Sequence, residues 1–216
     1  MTADTSTAAD GVTPLPLGAA GRALARCAAA TASLVAGRRL SQPAGNRGRE
    51  ISFADGTSAS VYRETVSRRE ALSEPVVLVV CFRLRRAHRA WSHTLFRLES
   101  ELNTILFAGF PGFVSKLWLR HDQHGMYRGV YQWDGVDPAI AYVRALWWAL
   151  ALVSEKDSIR YRVLPGQDRD DVVAGPTTAT GDAGDWWRPV TGAEVPAQVA
   201  GGAADKGRAG CRRRGA

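Results

Sequence analysis

The spacing of hydrophobic and polar positions changes several times along the centre of the chain, and each spacing predicts one helix or strand. Residues 76–82 are a continuous apolar, β-branched run, which is typical of a buried strand. In residues 88–107 large apolar side chains return every three or four positions, which predicts an amphipathic helix. Residues 113–120 and 126–133 alternate between apolar and polar on either side of a polar turn, so they predict a β-hairpin.

The pattern continues after this hairpin. Asp137-Pro138 predicts the start of a second helix, because aspartate is a favoured N-cap and proline at the first helical position loses only a donor without a partner. Residues 158–164 alternate again and predict a last strand. The element order within residues 75–166 is therefore βαββαβ, the ferredoxin-like arrangement, in which two helices cover one face of an antiparallel sheet.

Three segments lie outside this α+β domain. Residues 1–48 are rich in small residues and predict a flexible N-terminal tail, in which an Ala-rich stretch favours a helix. Residues 49–74 predict an appended N-terminal β-hairpin that turns at Asp55-Gly56. Residues 167–216 have no periodic apolar pattern and predict a flexible C-terminal tail.

The second face of the predicted sheet also needs a cover. A second copy of the chain, placed face to face with the first, would bury it. We therefore expect a homodimer in the form of a dimeric α/β barrel.

Composition narrows the choice of partners. The 216 residues include 28 Lys and Arg and 21 Asp and Glu, a net charge of +7. This charge is spread along the chain rather than concentrated in one arm, which argues against nucleic acid as a partner. The most apolar stretch, residues 139–153, is shorter than the roughly 20 residues that cross a bilayer, so we expect no membrane partner.

The motifs that the sequence lacks lead to our expectations for cofactors and for the cellular compartment. Cys27, Cys81 and Cys211 lie far apart, and no Cys/His cluster accompanies them, so we expect neither a metal site nor a disulfide framework. Phosphate-binding glycine loops and the familiar hydrolase motifs are missing, and we expect no bound cofactor. The first residues lack the basic region of a secretory signal, which predicts a cytoplasmic protein.

Three short motifs in the predicted domain resemble the YdhR-like monooxygenases of the dimeric α/β-barrel superfamily. They are GFVSKLW at residues 112–118, GVY at residues 129–131 and AIAY at residues 139–142. The resemblance implies a homodimer with an apolar pocket between sheet and helices in each subunit. It also implies oxidation of an electron-rich aromatic substrate without metal or flavin. Related anthrone monooxygenases have an Asn and, four residues later, a Trp on the third strand; these positions are Gly129 and Trp133 here.

Five residues are the candidates for a site. Trp133, Tyr131 and Tyr127 alternate along one strand and so share a face, where they predict the aromatic wall of a substrate pocket. Trp118 and Lys116 share a face of the preceding strand, and burial would lower the pKa of such a lysine and make it a base. Trp133 and Lys116 are the catalytic candidates. The same aromatic residues are also typical of a plain core, and a one-residue slip would separate the two groups.

The sequence thus favours a cofactor-independent monooxygenase acting on a small apolar or aromatic molecule. The alternative is a non-catalytic module of the same fold that binds a small hydrophobic molecule or mediates assembly.

Overall fold

The structure, a computed structural model, describes residues 13–68, 72–85, 107–175 and 183–190. Its helices are α1 (Leu17–Ala36), α2 (Val136–Val153) and α3 (Arg169–Ala174). Its strands are β1 (Leu40–Ser41), β2 (Glu50–Phe53), β3 (Ser58–Ser67), β4 (Pro75–Arg83), β5 (Phe113–Leu119), β6 (Met126–Asp134), β7 (Arg160–Pro165) and β8 (Pro189–Val190). The predicted helix of residues 88–107 lies, except for Phe107, outside the described residues.

All strands form one antiparallel sheet in the order β7-β4-β6-β5-β3-β2-β8, and β1 pairs with β3. The first four strands in this order are the fourth, first, third and second of the predicted domain, which is the order of the split βαβ arrangement. The fold is therefore α+β with an antiparallel sheet.

Strands β2 and β3 extend this sheet beyond the predicted domain. They pair with each other across a turn in which Gly56 has a φ of 77°, and β3 pairs with β5. Arg128 ties the turn to the domain, because its guanidinium contacts Asp55 at 2.7 Å and Asp122 at 2.6 Å. The β2–β3 pair is thus continuous with the sheet rather than an attachment to it.

Helix α1 contains the Ala-rich stretch in which the sequence favours a helix, and it packs against α2 rather than forming part of a free tail. The turn before β5 also lies close to α1. A Cβ on Gly109, in this turn, would lie 2.1 Å from the carbonyl oxygen of Cys27. Small side chains permit this approach, and they also explain the low apolar bulk that suggested a tail. Thr31, on the same helix, is buried and donates to the Cys27 carbonyl.

Helix α2 begins two residues earlier than its sequence indicates. Its N-cap is Gly135 with a φ of 104°, and no side chain caps it, so the prediction of Asp137 as N-cap is wrong. The chain turns through positive φ directly after β6, which places Asp137 and Pro138 inside the first turn. By length and composition α2 would also suffice to cross a membrane, a test that core helices of soluble domains pass as well.

The second face of the sheet is covered by the chain itself. Helix α3 and residues 183–190, which we call the C-terminal cover, bring Val173 and Trp186 onto Val77, Val79 and neighbouring core residues. The expectation of a flexible tail is therefore wrong for residues 167–175 and 183–190. A second copy could reach this face only by displacing the cover, so a dimer of the predicted barrel type has no free surface here.

A β-bulge between Phe113 and Ser115 changes the faces of β5. Strict alternation predicts Phe113 on the same face as Ser115, but Phe113 pairs with Trp133 and Ser115 with Gln132. The extra residue reverses the alternation. As a result Phe113 shares the helix-covered core with Trp133.

Candidate functional site

Lys116 is a buried lysine in the middle of the sheet. It stands on β5 directly opposite Tyr131 of β6, and only 4% of the residue is exposed. Three aromatic rings surround its Nζ, which we call the Lys116 cage. The distances from Nζ to the ring centroids are 3.2 Å for Trp118, 4.6 Å for Tyr131 and 4.7 Å for Phe107.

Within residues 13–68, 72–85, 107–175 and 183–190, no acidic side chain pairs with this amine. No hydrogen bond or ion pair joins Lys116 to the described residues, although ring faces attract its cationic form. Burial lowers the pKa of Lys116 well below its usual value, and the nearby charge of Arg63 lowers it further. The balance therefore shifts towards the uncharged amine, which is the form that accepts a proton.

Gly129 leaves the space that the lysine uses. This residue pairs with Trp118 across the two strands. A Cβ on Gly129 would lie 2.9 Å from Cε2 of Tyr131 and 3.2 Å from Cε of Lys116. A side chain at position 129 would therefore collide with Lys116 and Tyr131, which fill that volume.

Trp118 is held in place by β3. Its indole Nε1 donates to Oγ1 of Thr65 at 3.1 Å, and the guanidinium carbon of Arg63 lies 4.2 Å from its ring centroid. Thr65 is fully buried and pairs with Lys116. The strands outside the predicted domain thus complete this site, which the sequence pattern did not indicate.

Two phenol groups meet beside the Lys116 cage. The hydroxyl of Tyr131 lies 3.0 Å from that of Tyr142 on α2. Burial raises the pKa of both phenols well above the usual value, so both remain protonated and at least one can donate. Tyr142 lies in the AIAY motif, but only the register of α2 on the sheet reveals its partner.

Trp133 lies deeper, on the same face. It is fully buried between Phe113 and Tyr142, whose ring centroids are 5.7 Å and 5.0 Å away. Its Nε1 has no hydrogen-bond partner among the residues that the structure describes. A buried donor without an acceptor costs about 1–3 kcal/mol, so this N–H would gain from an acceptor placed beside it.

Tyr127 is separate from the other candidates. It lies at the start of β6, where its ring stacks on Phe82 at 5.9 Å and meets the ring of His121 edge-on at 5.5 Å. Four residues along a strand span about 13 Å, so Tyr127 is well removed from Tyr131 although it has the same parity. The structure therefore brings together Lys116, Trp118 and Tyr131, places Trp133 next to them, and leaves Tyr127 outside.

A small apolar crevice lies on the other side of Tyr142. It holds about 10 Å³, close to the space of one water, between α2, β4 and β7. Its lining residues include Val80, Tyr142, Trp147 and Tyr161. In the described part of the chain no group of three or more His, Cys, Asp or Glu side chains is arranged to hold a metal ion.

Comparison with known proteins gives only partial likenesses. No family matches the chain by sequence, and no curated protein does so. Among solved structures, a ferredoxin-fold protein from Listeria monocytogenes, described as related to antibiotic biosynthesis monooxygenases, is 13% identical with a TM-score of 0.39. A candidate monooxygenase from Fusobacterium nucleatum is 8% identical with a TM-score of 0.36. A major regulator of staphylococcal pathogenesis is 19% identical with a TM-score of 0.34.

These likenesses concern part of each molecule. They cover 52%, 51% and 50% of this chain, in the same order. The chain spans 66%, 52% and 66% of the respective structures. They include ferredoxin-fold proteins and do not point to the YdhR-like group in particular.

Proposed function

We propose that this protein is a cofactor-independent monooxygenase in which Lys116 accepts a proton from a small aromatic substrate. The observation that carries the proposal is an amine shifted towards its uncharged form, buried among aromatic rings and facing the same side of the sheet as Tyr131 and Trp133. A base of this kind suits a phenol or an anthrone, because such compounds become electron-rich once they lose a proton.

The proposed reaction needs no bound redox group. The deprotonated substrate donates electrons to dioxygen, one oxygen atom enters the product in place of two substrate hydrogens, and the other leaves as water. The unpaired Nε1–H of Trp133 and the Tyr131–Tyr142 hydroxyl pair are the donors available to the developing oxyanion. Lys116 Nζ takes up the proton and returns it during the formation of water.

The wider predictions belong to this proposal. The proposal includes four of them: membership of the YdhR-like group, a pocket between sheet and helices, a cytoplasmic location and a homodimer. Because the C-terminal cover occupies the second sheet face, a homodimer has to use another surface.

Oxygen uptake tests the proposal directly. Purified protein with an anthrone or a hydroquinone should consume dioxygen above the rate of substrate alone. The rate of oxygen uptake should fall to a small fraction of the wild-type rate in Lys116→Met, and it should be lower than the wild-type rate in Trp133→Phe. Lys156→Met makes the same change at an exposed position and is the matched control. Uptake that is absent in the wild type, or unchanged in Lys116→Met, contradicts the proposal.

A non-catalytic module for a small hydrophobic molecule is the second candidate. The crevice between α2, β4 and β7 supports it, because its lining, which includes Val80 and Trp147, is apolar and offers no group for catalysis of its own. It predicts quenching of tryptophan fluorescence by aromatic ligands without oxygen uptake.

A further inference from the structure

Lysine is rare in this chain. Of the 28 Lys and Arg residues, 25 are arginines and three are lysines, Lys116, Lys156 and Lys206. Lys156 is exposed, whereas Lys116 is buried in the middle of the sheet. A guanidinium stays charged in proteins, while a buried ammonium readily loses its proton. A lysine at position 116 therefore gives the site an amine chemistry that the arginines of this chain cannot supply.

Lys116 also differs from a buried arginine in what surrounds it. The guanidinium of Arg128 contacts the carboxylates of Asp55 and Asp122, which compensate its charge. The Nζ of Lys116 has no carboxylate partner among the described residues and lies 3.2 Å from the ring centroid of Trp118. A lysine kept only for an ion pair would have such a partner. The arrangement fits an amine that is kept reactive.

An uncharged amine is a nucleophile as well as a base. Burial and the charge of Arg63 lower the pKa of Lys116, which frees its lone pair for either role. Attack of Nζ on the carbonyl carbon of an aldehyde gives a carbinolamine. Loss of water then replaces the C=O bond by a C=N bond, and the carbonyl oxygen leaves with the two hydrogens of the amine. The protonated imine is a cation, which the rings around Nζ attract.

The departing oxygen needs a hydrogen-bond donor beside the amine. The ring centroid of Tyr131 lies 4.6 Å from Nζ, and its hydroxyl lies 3.0 Å from that of Tyr142. Burial raises the pKa of both phenols, so both keep their protons at neutral pH. The hydroxyl pair therefore holds one hydrogen more than its own hydrogen bond uses.

We propose that Lys116 condenses with apolar aromatic aldehydes to form an imine, with the Tyr131–Tyr142 hydroxyl pair donating to the oxygen that leaves as water. The aromatic class follows from the Lys116 cage, whose rings stack on a flat apolar group, whereas burying a carboxylate is costly. An aldehyde with a carboxylate, which Arg63 would attract, is the alternative that the experiment separates. The proposal rests on the same amine as the proposed function, but not on any reaction with dioxygen.

The aldehyde has to enter as side chains of the cluster move, because Lys116 is 4% exposed. The most exposed ring of this cluster is that of Tyr62 on β3, which is half-buried and lies 6.3 Å from the Trp118 ring. Entry is therefore expected on the β3 side. Labelling has to be followed as a time course for the same reason.

Reductive trapping of the full chain tests the proposal. The protein is incubated with benzaldehyde and cyanoborohydride at neutral pH without dioxygen, and peptide mass spectrometry locates the benzyl groups. Each unit by which a pKa is lowered frees about ten times more amine, so Lys116 should be labelled at least about tenfold faster than the exposed Lys156. In urea this preference should disappear, because it depends on the fold.

A second variant tests the donor. Tyr131→Phe should slow labelling of Lys116 at least about tenfold, since a positioned proton donor contributes this much or more. Tyr127→Phe makes the same change on the same strand outside the Lys116 cage and is the control. Thermal unfolding shows whether each variant is folded. Labelling of Lys116 that is as fast in folded Tyr131→Phe as in the wild type would overturn the role of the hydroxyl pair.

Other results overturn the imine itself. Folded wild-type protein labelled no faster at Lys116 than at Lys156 would do so. Glyoxylate that outperforms benzaldehyde at Lys116, each measured relative to Lys156, would overturn the aromatic class. Labelling of Lys116 without oxygen uptake by the wild type would support the imine and contradict the proposed function, and oxygen uptake without labelling would do the reverse.

Discussion

Gly129 and Lys116 compete for one volume on the helix-covered face of the sheet. The Cε of Lys116 lies 3.2 Å from the place where a Cβ on Gly129 would stand, and the Tyr131 ring is closer still at 2.9 Å. The sequence shows a missing side chain at residue 129. The structure shows that the absence of this side chain leaves room for the side chain of Lys116.

Gly129→Ala should therefore disturb the Lys116 cage. The added methyl group forces the Tyr131 ring and the Lys116 stem to move, which should lower the free energy of unfolding by about 1–3 kcal/mol. Urea unfolding measures this change. Gly45→Ala, where a Cβ has nothing within 4 Å, is the control. Equal stability of the two variants would show that the cage tolerates the methyl group.

Lys116→Met should stabilise the protein at neutral pH. The folded state lowers the pKa of Lys116, so between this lowered pKa and about 10.5 the unfolded chain binds more protons than the folded one. The charge penalty is full below the lowered pKa and disappears as the pH rises towards 10.5. The stability advantage of Lys116→Met should therefore shrink with rising pH.

Urea midpoints measured from neutral to alkaline pH test this expectation. Lys156→Met, the same substitution at an exposed position, is the control. A difference between wild type and Lys116→Met that stays constant with pH would mean that Lys116 titrates as an ordinary lysine.

The Tyr131–Tyr142 hydroxyl pair should behave as one unit. Tyr131→Phe leaves the buried Tyr142 hydroxyl without this partner, which should cost about 1–3 kcal/mol, and Tyr142→Phe should do the same. The double variant should cost less than the sum of the two, because neither hydroxyl is then left unpaired. Additive losses in a double-mutant cycle would show that the hydroxyls do not interact.

Gly109→Ala should loosen α1 from the domain. A Cβ there would stand 2.1 Å from the Cys27 carbonyl oxygen and 2.7 Å from the Thr31 nitrogen, and both are backbone atoms that move only with the helix. We expect a loss of about 3 kcal/mol and faster trypsin cleavage after Arg22 and Arg26.

The same substitution elsewhere in α1 provides the comparison. At Gly21 a Cβ would meet nothing within 4 Å, so Gly21→Ala should stabilise by about 0.5–1 kcal/mol. Unchanged cleavage in Gly109→Ala would mean that α1 does not depend on this contact.

Periodicity sufficed for the four strands of the domain, for α2 and for the order of these elements, since β4, β5, β6, α2 and β7 each carry a local hydrophobic pattern. The register between strands could not be predicted in the same way. The β-bulge between Phe113 and Ser115 depends on pairing with Trp133 and Gln132, which no local pattern encodes. The structure places Lys116 opposite Tyr131. The two candidates therefore share a face of the sheet, which alternation alone left open.

Some parts of the site come from outside the predicted domain, and local sequence patterns could not predict them either. Thr65 and Arg63 reach Trp118 because β3 pairs with β5, a contact between segments about fifty residues apart. The C-terminal cover has no periodicity because it is made of a six-residue helix and a two-residue strand. Its anchors are single contacts, such as Arg169 with Glu64 at 2.8 Å.

The C-terminal cover has a consequence for how this molecule responds to dilution. A sheet face buried by a subunit loses its cover when protein concentration falls below the dissociation constant. Here the residues that bury Val77 and Val79 are tethered on the same polypeptide, so their local concentration is set by the length of the connection and not by expression level. Protection of this face should then be the same in a scarce protein as in an abundant one.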